Sequence, residues 1–182
     1  MTISPALVSC LGRLAGAAAV TSGLAYVAYF LVDVSVRDQS ITAWNLLIVP
    51  AALWLGLVTS RRVALVATVS TAAGAGASVL WAFAYRVPSL EPWWIGLAAV
   101  WWLGIGWLLR ADRRRLGMFT LLLGLATGVD FILTVLDAPM PIYALGGFKI
   151  PLTIVWTFWI GATLLRGRVL VSDATTTERE NG

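Results

Sequence analysis

Residues 120–137, TLLLGLATGVDFILTVLD, place a carboxyl group inside a long apolar run. The polar residues of this stretch recur at spacings of three, four or seven, so they share one face of a helix: Thr120, Thr127, Asp130, Thr134 and Asp137. A carboxyl group in hydrocarbon is costly unless it faces a partner, a cavity or the interior of a bundle. We therefore expect this face to point inward, with the rest of the chain packed around it.

The composition is that of a membrane protein. Of the 182 residues, 59% are hydrophobic and 12% are charged, and the mean hydropathy is +0.86. A soluble domain carries about 25% charged residues. Six apolar runs come close to the ~20 residues that cross a bilayer. They predict an all-α, polytopic membrane helical bundle with six transmembrane helices in one domain over residues 1–168, followed by a disordered polar tail, 169–182. The predicted spans are 14–34, 41–59, 63–84, 93–109, 116–136 and 150–165.

Basic residues divide unequally between the two ends of this six-span arrangement. One end holds nine: Arg13, Arg61, Arg62, Arg110, Arg113, Arg114, Arg115, Arg166 and Arg168. The other holds three: Arg37, Arg86 and Lys149. Because basic loops stay in the cytoplasm, the asymmetry predicts that both termini are cytoplasmic, in a multi-pass protein of the cell membrane, here a bacterial inner membrane. It also accounts for the net charge of +4, so we expect no nucleic-acid partner.

Residue usage excludes several chemistries. The chain has no histidine and one cysteine, Cys10, which removes Cys/His metal sites, internal disulfides and every histidine base. The sequence contains no metal-binding, nucleotide-binding or catalytic motif. We therefore expect no metal and no cofactor, and we assign no catalytic residue.

Polar side chains from several spans should reach the depth of Asp130. The predicted ligand-binding set is Asp130, Thr127, Thr134, Asn45, Tyr26, Tyr29 and Ser78. Such layering predicts a polar pocket that opens outward, covered by a loop over residues 138–148. Alternatively, Asp130 is a structural carboxyl group, hydrogen-bonded to Thr127 or Asn45, and serves helix packing alone.

Small residues mark two predicted packing faces. The first span has Gly12 and Gly16 four residues apart, and the third has the run STAAGAGAS over residues 70–78. These residues predict that the third span is the most enclosed helix, and that spans one and three could dock a partner subunit. The five tryptophans of the fourth span are expected to anchor and pack it. Three Trp-Leu/Ile-Gly triplets, at residues 54–56, 102–104 and 159–161, suggest three repeated helical hairpins.

Three functions fit these features. The first is binding or transport of a small organic molecule or cation, with Asp130 as its charge partner. The second is a non-catalytic accessory subunit of a membrane complex. The third is a membrane-embedded enzyme that acts on a lipid or isoprenoid with Asp130 or Asp137 as the acid. Only the general plan, six spans with an outward site, is similar to the substrate-binding subunits of energy-coupling-factor vitamin transporters.

Overall fold

The computed structural model describes residues 5–59, 63–84, 86–137 and 142–166, and over these residues the chain is helical. A short 3-10 helix, Pro88–Leu90, precedes the fourth of six long helices: α1 (Pro5–Leu31), α2 (Val34–Thr59), α3 (Ala64–Ala84), α4 (Glu91–Leu109), α5 (Arg114–Val135) and α6 (Ile142–Leu165). All six are long and apolar enough to cross a membrane. The all-helical class and the six candidate spans are therefore confirmed, as expected of a multi-pass membrane protein.

Three helices begin earlier than the apolar runs predict. The α1 helix begins at Pro5 rather than at residue 14, and α2 begins at Val34, so the polar stretch 35–40 forms its first turns. The α6 helix begins at Ile142, so most of the expected covering loop is helical, and residues 138–141 lie outside the described part of the chain. Apolar composition marks where a chain meets hydrocarbon, whereas backbone hydrogen bonding continues past that boundary.

The six helices form a closed ring in chain order. Each packs against the next, and α6 packs against α1, with the α5–α6 seam the least extensive. Neighbours are antiparallel: Ser22 of α1 donates a hydrogen bond to the carbonyl oxygen of Trp44, while Gly12 meets the ring of Trp54 further along α2. We call the end where α1 begins and α2, α4 and α6 finish the arginine end, since Arg13 and Arg110 lie there. The opposite end is the far end.

Helix backbones approach most closely near the arginine end. A β-carbon built at Gly16 of α1 would lie 2.9 Å from the carbonyl oxygen of Gly161 in α6. One built at Gly106 of α4 would lie 3.1 Å from the carbonyl oxygen of Gly117 in α5. Only glycine permits such approaches, and they explain why small residues lie on these faces. The close contact predicted for Gly16 is confirmed.

Towards the far end, glycines face aromatic rings instead of backbone. A β-carbon at Gly23 would lie 3.1 Å from the ring of Phe158, and one at Gly96 would lie 3.0 Å from the ring of Phe131. Because rings rather than main chains separate the helices here, the bundle leaves more room at this end.

The α2 helix, and not α3, is the most enclosed. Half of the most apolar 18-residue window of α2 is buried, against a third of that of α3. The α3 face that carries Leu65, Val69, Val79 and Phe83 is exposed. The expectation that α3 is central was wrong because small side chains admit a neighbour without enclosing their own helix.

The small residues of α3 are also unequal. A β-carbon at Gly74 would lie 2.6 Å from the ring of Trp101, whereas one at Gly76 would meet only Leu97, at 3.5 Å. A side chain added at Gly74 would therefore overpack this contact, whereas one added at Gly76 would make only an ordinary van der Waals contact. Buried small residues of α1 and α3, including Ala19 and Ala73, are used inside the bundle.

The Trp-Leu/Ile-Gly triplets occupy different environments. Gly56 of α2 and Gly161 of α6 pack against the next helix of the ring, α3 and α1 respectively. Gly104 of α4 packs against the preceding helix, α3. The three glycines are therefore not equivalent, and this packing gives the sequence repeat no structural counterpart.

Candidate ligand-binding site

A cavity lies between the helices from the middle of the bundle towards the far end. All six helices contribute to its lining. Its aromatic lining residues are Tyr26, Trp44, Trp81, Trp94, Trp101 and Trp102. Its polar lining residues are Asn45, Ser78, Thr127, Lys149, Thr153 and Thr157. The centre of a water-sized molecule can occupy about 60 Å³, and the atom-free space including the solvent-facing part is about 620 Å³.

The structure brings together four of the seven residues that the sequence predicts for the site. Tyr26, Asn45, Ser78 and Thr127 line the cavity and are buried. The other three are partly buried and are not lining residues: Tyr29, Asp130 and Thr134. Four of the predicted polar side chains therefore meet at one cavity, and the predicted acidic residue, Asp130, lies outside its lining.

Asp130 is paired within the chain. Its carboxylate forms an ion pair with the ammonium group of Lys149, and the two side chains are 17% and 21% exposed. By sequence, Lys149 lies just before the predicted sixth span, 150–165. Because α6 begins at Ile142, Lys149 instead lies about two turns inside the helix, and it lines the cavity. The charged residue that lines the cavity is therefore Lys149 and not Asp130.

The polar face of α5 turns outward along the helix. Thr120 and Thr127 are buried, Asp130 and Thr134 are partly buried, and Asp137 is exposed. The predicted inward face therefore holds for the first half of α5 only. Asp137 lies past the helix end with φ +46°, in the left-handed region, so its predicted place on this face was wrong.

Aromatic rings form a continuous wall on the α1–α4 side. Tyr26 stacks on Trp44 with ring centroids 4.1 Å apart, and Trp44 meets Trp81 edge to face at 4.6 Å. Trp81 then stacks on Trp94 at 4.5 Å. Such contacts fix the ring planes and leave the indole edges available for hydrogen bonds.

A second aromatic cluster closes the cavity towards the arginine end. Trp101 and Trp102 both pack against Trp156 of α6, with centroids 5.6 and 4.4 Å away. Trp156 is fully buried, and its Nε1 donates a 2.8 Å hydrogen bond to the hydroxyl of Thr120. This hydrogen bond joins α6 to α5 on the arginine-end side of the cavity.

Three indole N–H groups beside the cavity are buried without an acceptor among the described residues. They belong to Trp44, Trp94 and Trp101, all of which line the cavity. Buried polar groups are nearly always hydrogen-bonded, and an unpaired one costs about 1–3 kcal/mol. Unpaired donors in the wall of a cavity favour acceptor atoms in any molecule that occupies it.

Hydroxyl oxygens supply acceptors on the opposite wall. Thr127, Thr153 and Thr157 each donate to a carbonyl oxygen four residues earlier in the same helix, at 2.8, 2.9 and 2.8 Å. With their protons so engaged, these hydroxyls present lone pairs. The cavity therefore has donors on α2, α4 and Lys149, and acceptors on α5 and α6.

The sequence interpretation missed most of the aromatic wall. The five tryptophans of α4 were expected to anchor and pack it; Trp93 is 67% exposed, whereas Trp94 lines the cavity. Consecutive residues differ by about 100° around a helix, so the two need not share an environment. Trp94 lies seven residues before Trp101 and shares its face, and that spacing could have grouped the two inside the bundle. Trp44 and Trp81 carry no comparable signal.

Among the described residues, no group of three or more His, Cys, Asp or Glu side chains could hold a metal ion. Comparisons of the chain with protein-family models, with curated proteins and with solved structures found no match.

Proposed function

We propose that the protein binds a small planar group bearing a hydrogen-bond acceptor, an amide or a carboxylate, in the cavity at its far end. The observation that carries the proposal is the set of three buried, unpaired indole N–H groups of Trp44, Trp94 and Trp101. An acceptor oxygen would relieve the cost of these donors, and the ammonium of Lys149 supplies a fourth donor to the same space.

The size of the cavity limits the group that enters it. The centre of a water-sized molecule can move through about 60 Å³, which is about four to six times the least space that holds one water. It therefore suits a group of about four heavy atoms, either a whole molecule or the head of a longer one. Stacked indoles on one side favour a flat group.

An organic cation matches this lining less well. The carboxylate that would attract it, that of Asp130, is already paired with Lys149 and is not among the lining groups. A cation would also meet the ammonium of Lys149. Aromatic faces attract cations, but most of the rings here are stacked on each other.

The orientation proposed for this site is outward, with the arginine end in the cytoplasm of a cell-membrane protein. Its support is the charge of the two ends. By sequence, nine basic residues belong to the arginine end and three to the far end. An excess of Lys and Arg in the loops at one end is the distribution that retains those loops in the cytoplasm.

The indole N–H resonances of ¹⁵N-tryptophan-labelled protein in detergent test the binding proposal. The chain has 10 tryptophans, which can be assigned by single Trp→Phe variants. Acetamide and acetate should shift the resonances of Trp44, Trp94 and Trp101 downfield as these donors gain an acceptor. The resonance of Trp156, already bonded to Thr120, is the internal control and should not move.

A matched pair of variants locates the effect. Trp101→Phe keeps a ring but removes one donor, and should weaken acetate binding by about threefold to tenfold. Trp107→Phe removes an exposed indole that does not line the cavity, and should leave the affinity unchanged. A response to tetramethylammonium but not to acetamide or acetate would overturn the proposal, as would equal shifts at Trp156.

A further inference from the structure

We propose that a second site, a cleft between α5 and α6 at the arginine end, binds an anionic phospholipid. It is an open groove on the outer surface of the two helices and not an enclosed pocket. It is lined by two arginines and four apolar residues: Arg114, Arg115, Met118, Phe119, Leu122 and Trp159. It is separate from the cavity at the far end and shares no lining residue with it.

The lining separates charge from apolar surface along one axis. Arg114 and Arg115 begin α5, and Leu122 lies eight residues later, so about 12 Å separates the basic rim from the apolar end. Met118, halfway along this stretch, is 52% exposed, and Leu122, at its apolar end, is 44% exposed. This order, charge at the membrane surface and hydrocarbon below, is that of a phospholipid.

Aromatic rings form the base of the cleft. Phe119 of α5 and Trp159 of α6 have ring centroids 5.8 Å apart, so they bridge the seam where the two helices pack least extensively. Trp159 is 38% exposed despite its size. An acyl chain lying on these rings would cover apolar surface that the protein leaves open.

The charged rim selects the headgroup. Arginine binds phosphate through two parallel hydrogen bonds, and the first N–H groups of α5 add the positive end of the helix dipole. Asp112, the nearest preceding acid, is partly buried and does not line the cleft. A choline headgroup would place a cation against two arginines, so we expect phosphatidylglycerol to bind in preference to phosphatidylcholine.

Native mass spectrometry of the full chain, with graded additions of phosphatidylglycerol or phosphatidylcholine, tests the site. Phosphatidylglycerol should give one adduct that survives activation, and phosphatidylcholine should give none. The double variant Arg114→Gln/Arg115→Gln should weaken the phosphatidylglycerol adduct by about tenfold or more. The matched control, Arg13→Gln/Arg110→Gln, removes the same charge outside the cleft and should change it by less than about twofold.

A further variant separates a lipid from its phosphate alone. Leu122→Trp keeps both arginines but fills the apolar half of the cleft, and should weaken the adduct as well. Inorganic phosphate should not displace the lipid from the unmodified protein. Equal losses in the two arginine double variants would overturn the proposal, since that result means non-specific attraction. The proposal would also be overturned if Leu122→Trp left the phosphatidylglycerol adduct unaltered and inorganic phosphate displaced the lipid from the unmodified protein.

Discussion

The Asp130–Lys149 ion pair gives the sharpest test of the far half of the bundle. With 17% and 21% of the two side chains exposed, most of the pair is buried. Removing one partner of a buried pair costs about 3–5 kcal/mol, whereas breaking an exposed pair costs at most about 1 kcal/mol. We therefore expect Lys149→Met and Asp130→Leu each to lower the free energy of unfolding by about 2–4 kcal/mol. The double variant, with apolar residues of similar volume, should lie within about 1 kcal/mol of the unmodified protein.

Reversible unfolding in mixed detergent micelles, followed by circular dichroism, measures all four corners of this cycle. The expected coupling energy, the sum of the two single effects less that of the double variant, is at least about 3 kcal/mol. The Asp38–Arg86 pair is the control, because its side chains are 44% and 69% exposed and its coupling should stay below about 1 kcal/mol. The single effects at Asp130 and Lys149 could instead be additive, or their coupling no larger than that of the control pair. Either result would show that the two charges are solvated, and would refute the conclusion that they form a buried ion pair.

Two further predictions concern the core and the orientation. Thr120→Val removes the acceptor of the buried Trp156 indole and should lower the free energy of unfolding by about 1–3 kcal/mol. Thr127→Val removes only a hydrogen bond within its own helix, and should lower that free energy by less than about 1 kcal/mol in the same unfolding assay. In a Cys10→Ser background, a membrane-impermeant maleimide added to intact cells should label Ser35→Cys and not Ala111→Cys; the reverse pattern would invert the proposed orientation.

Hydropathy was sufficient for the fold class because the bilayer constrains backbone hydrogen bonding so strongly. Six apolar runs of adequate length leave few alternatives to six helices. Helix ends were less predictable, since Val34 and Ile142 begin helices in polar or glycine-containing sequence where no apolar run marks the boundary.

The candidate site was predicted in part. Helical spacing placed Thr120 and Thr127 on a buried face, and it placed Asn45 and Ser78 at a similar depth. It could not show that Lys149 comes from another helix to neutralise Asp130. That pairing depends on how α6 is set against α5, which is a property of the packed bundle and not of either sequence segment.

The glycine contacts at the arginine end have a consequence for solute movement. At Gly16–Gly161 and Gly106–Gly117 the main chains meet with no side chain between them. A side chain can rotate aside, but a backbone contact opens only when whole helices separate. These two seams therefore have no side-chain gate between the cavity and the arginine end. Passage of a solute through either of them would require rigid-body displacement of α1 from α6 or of α4 from α5.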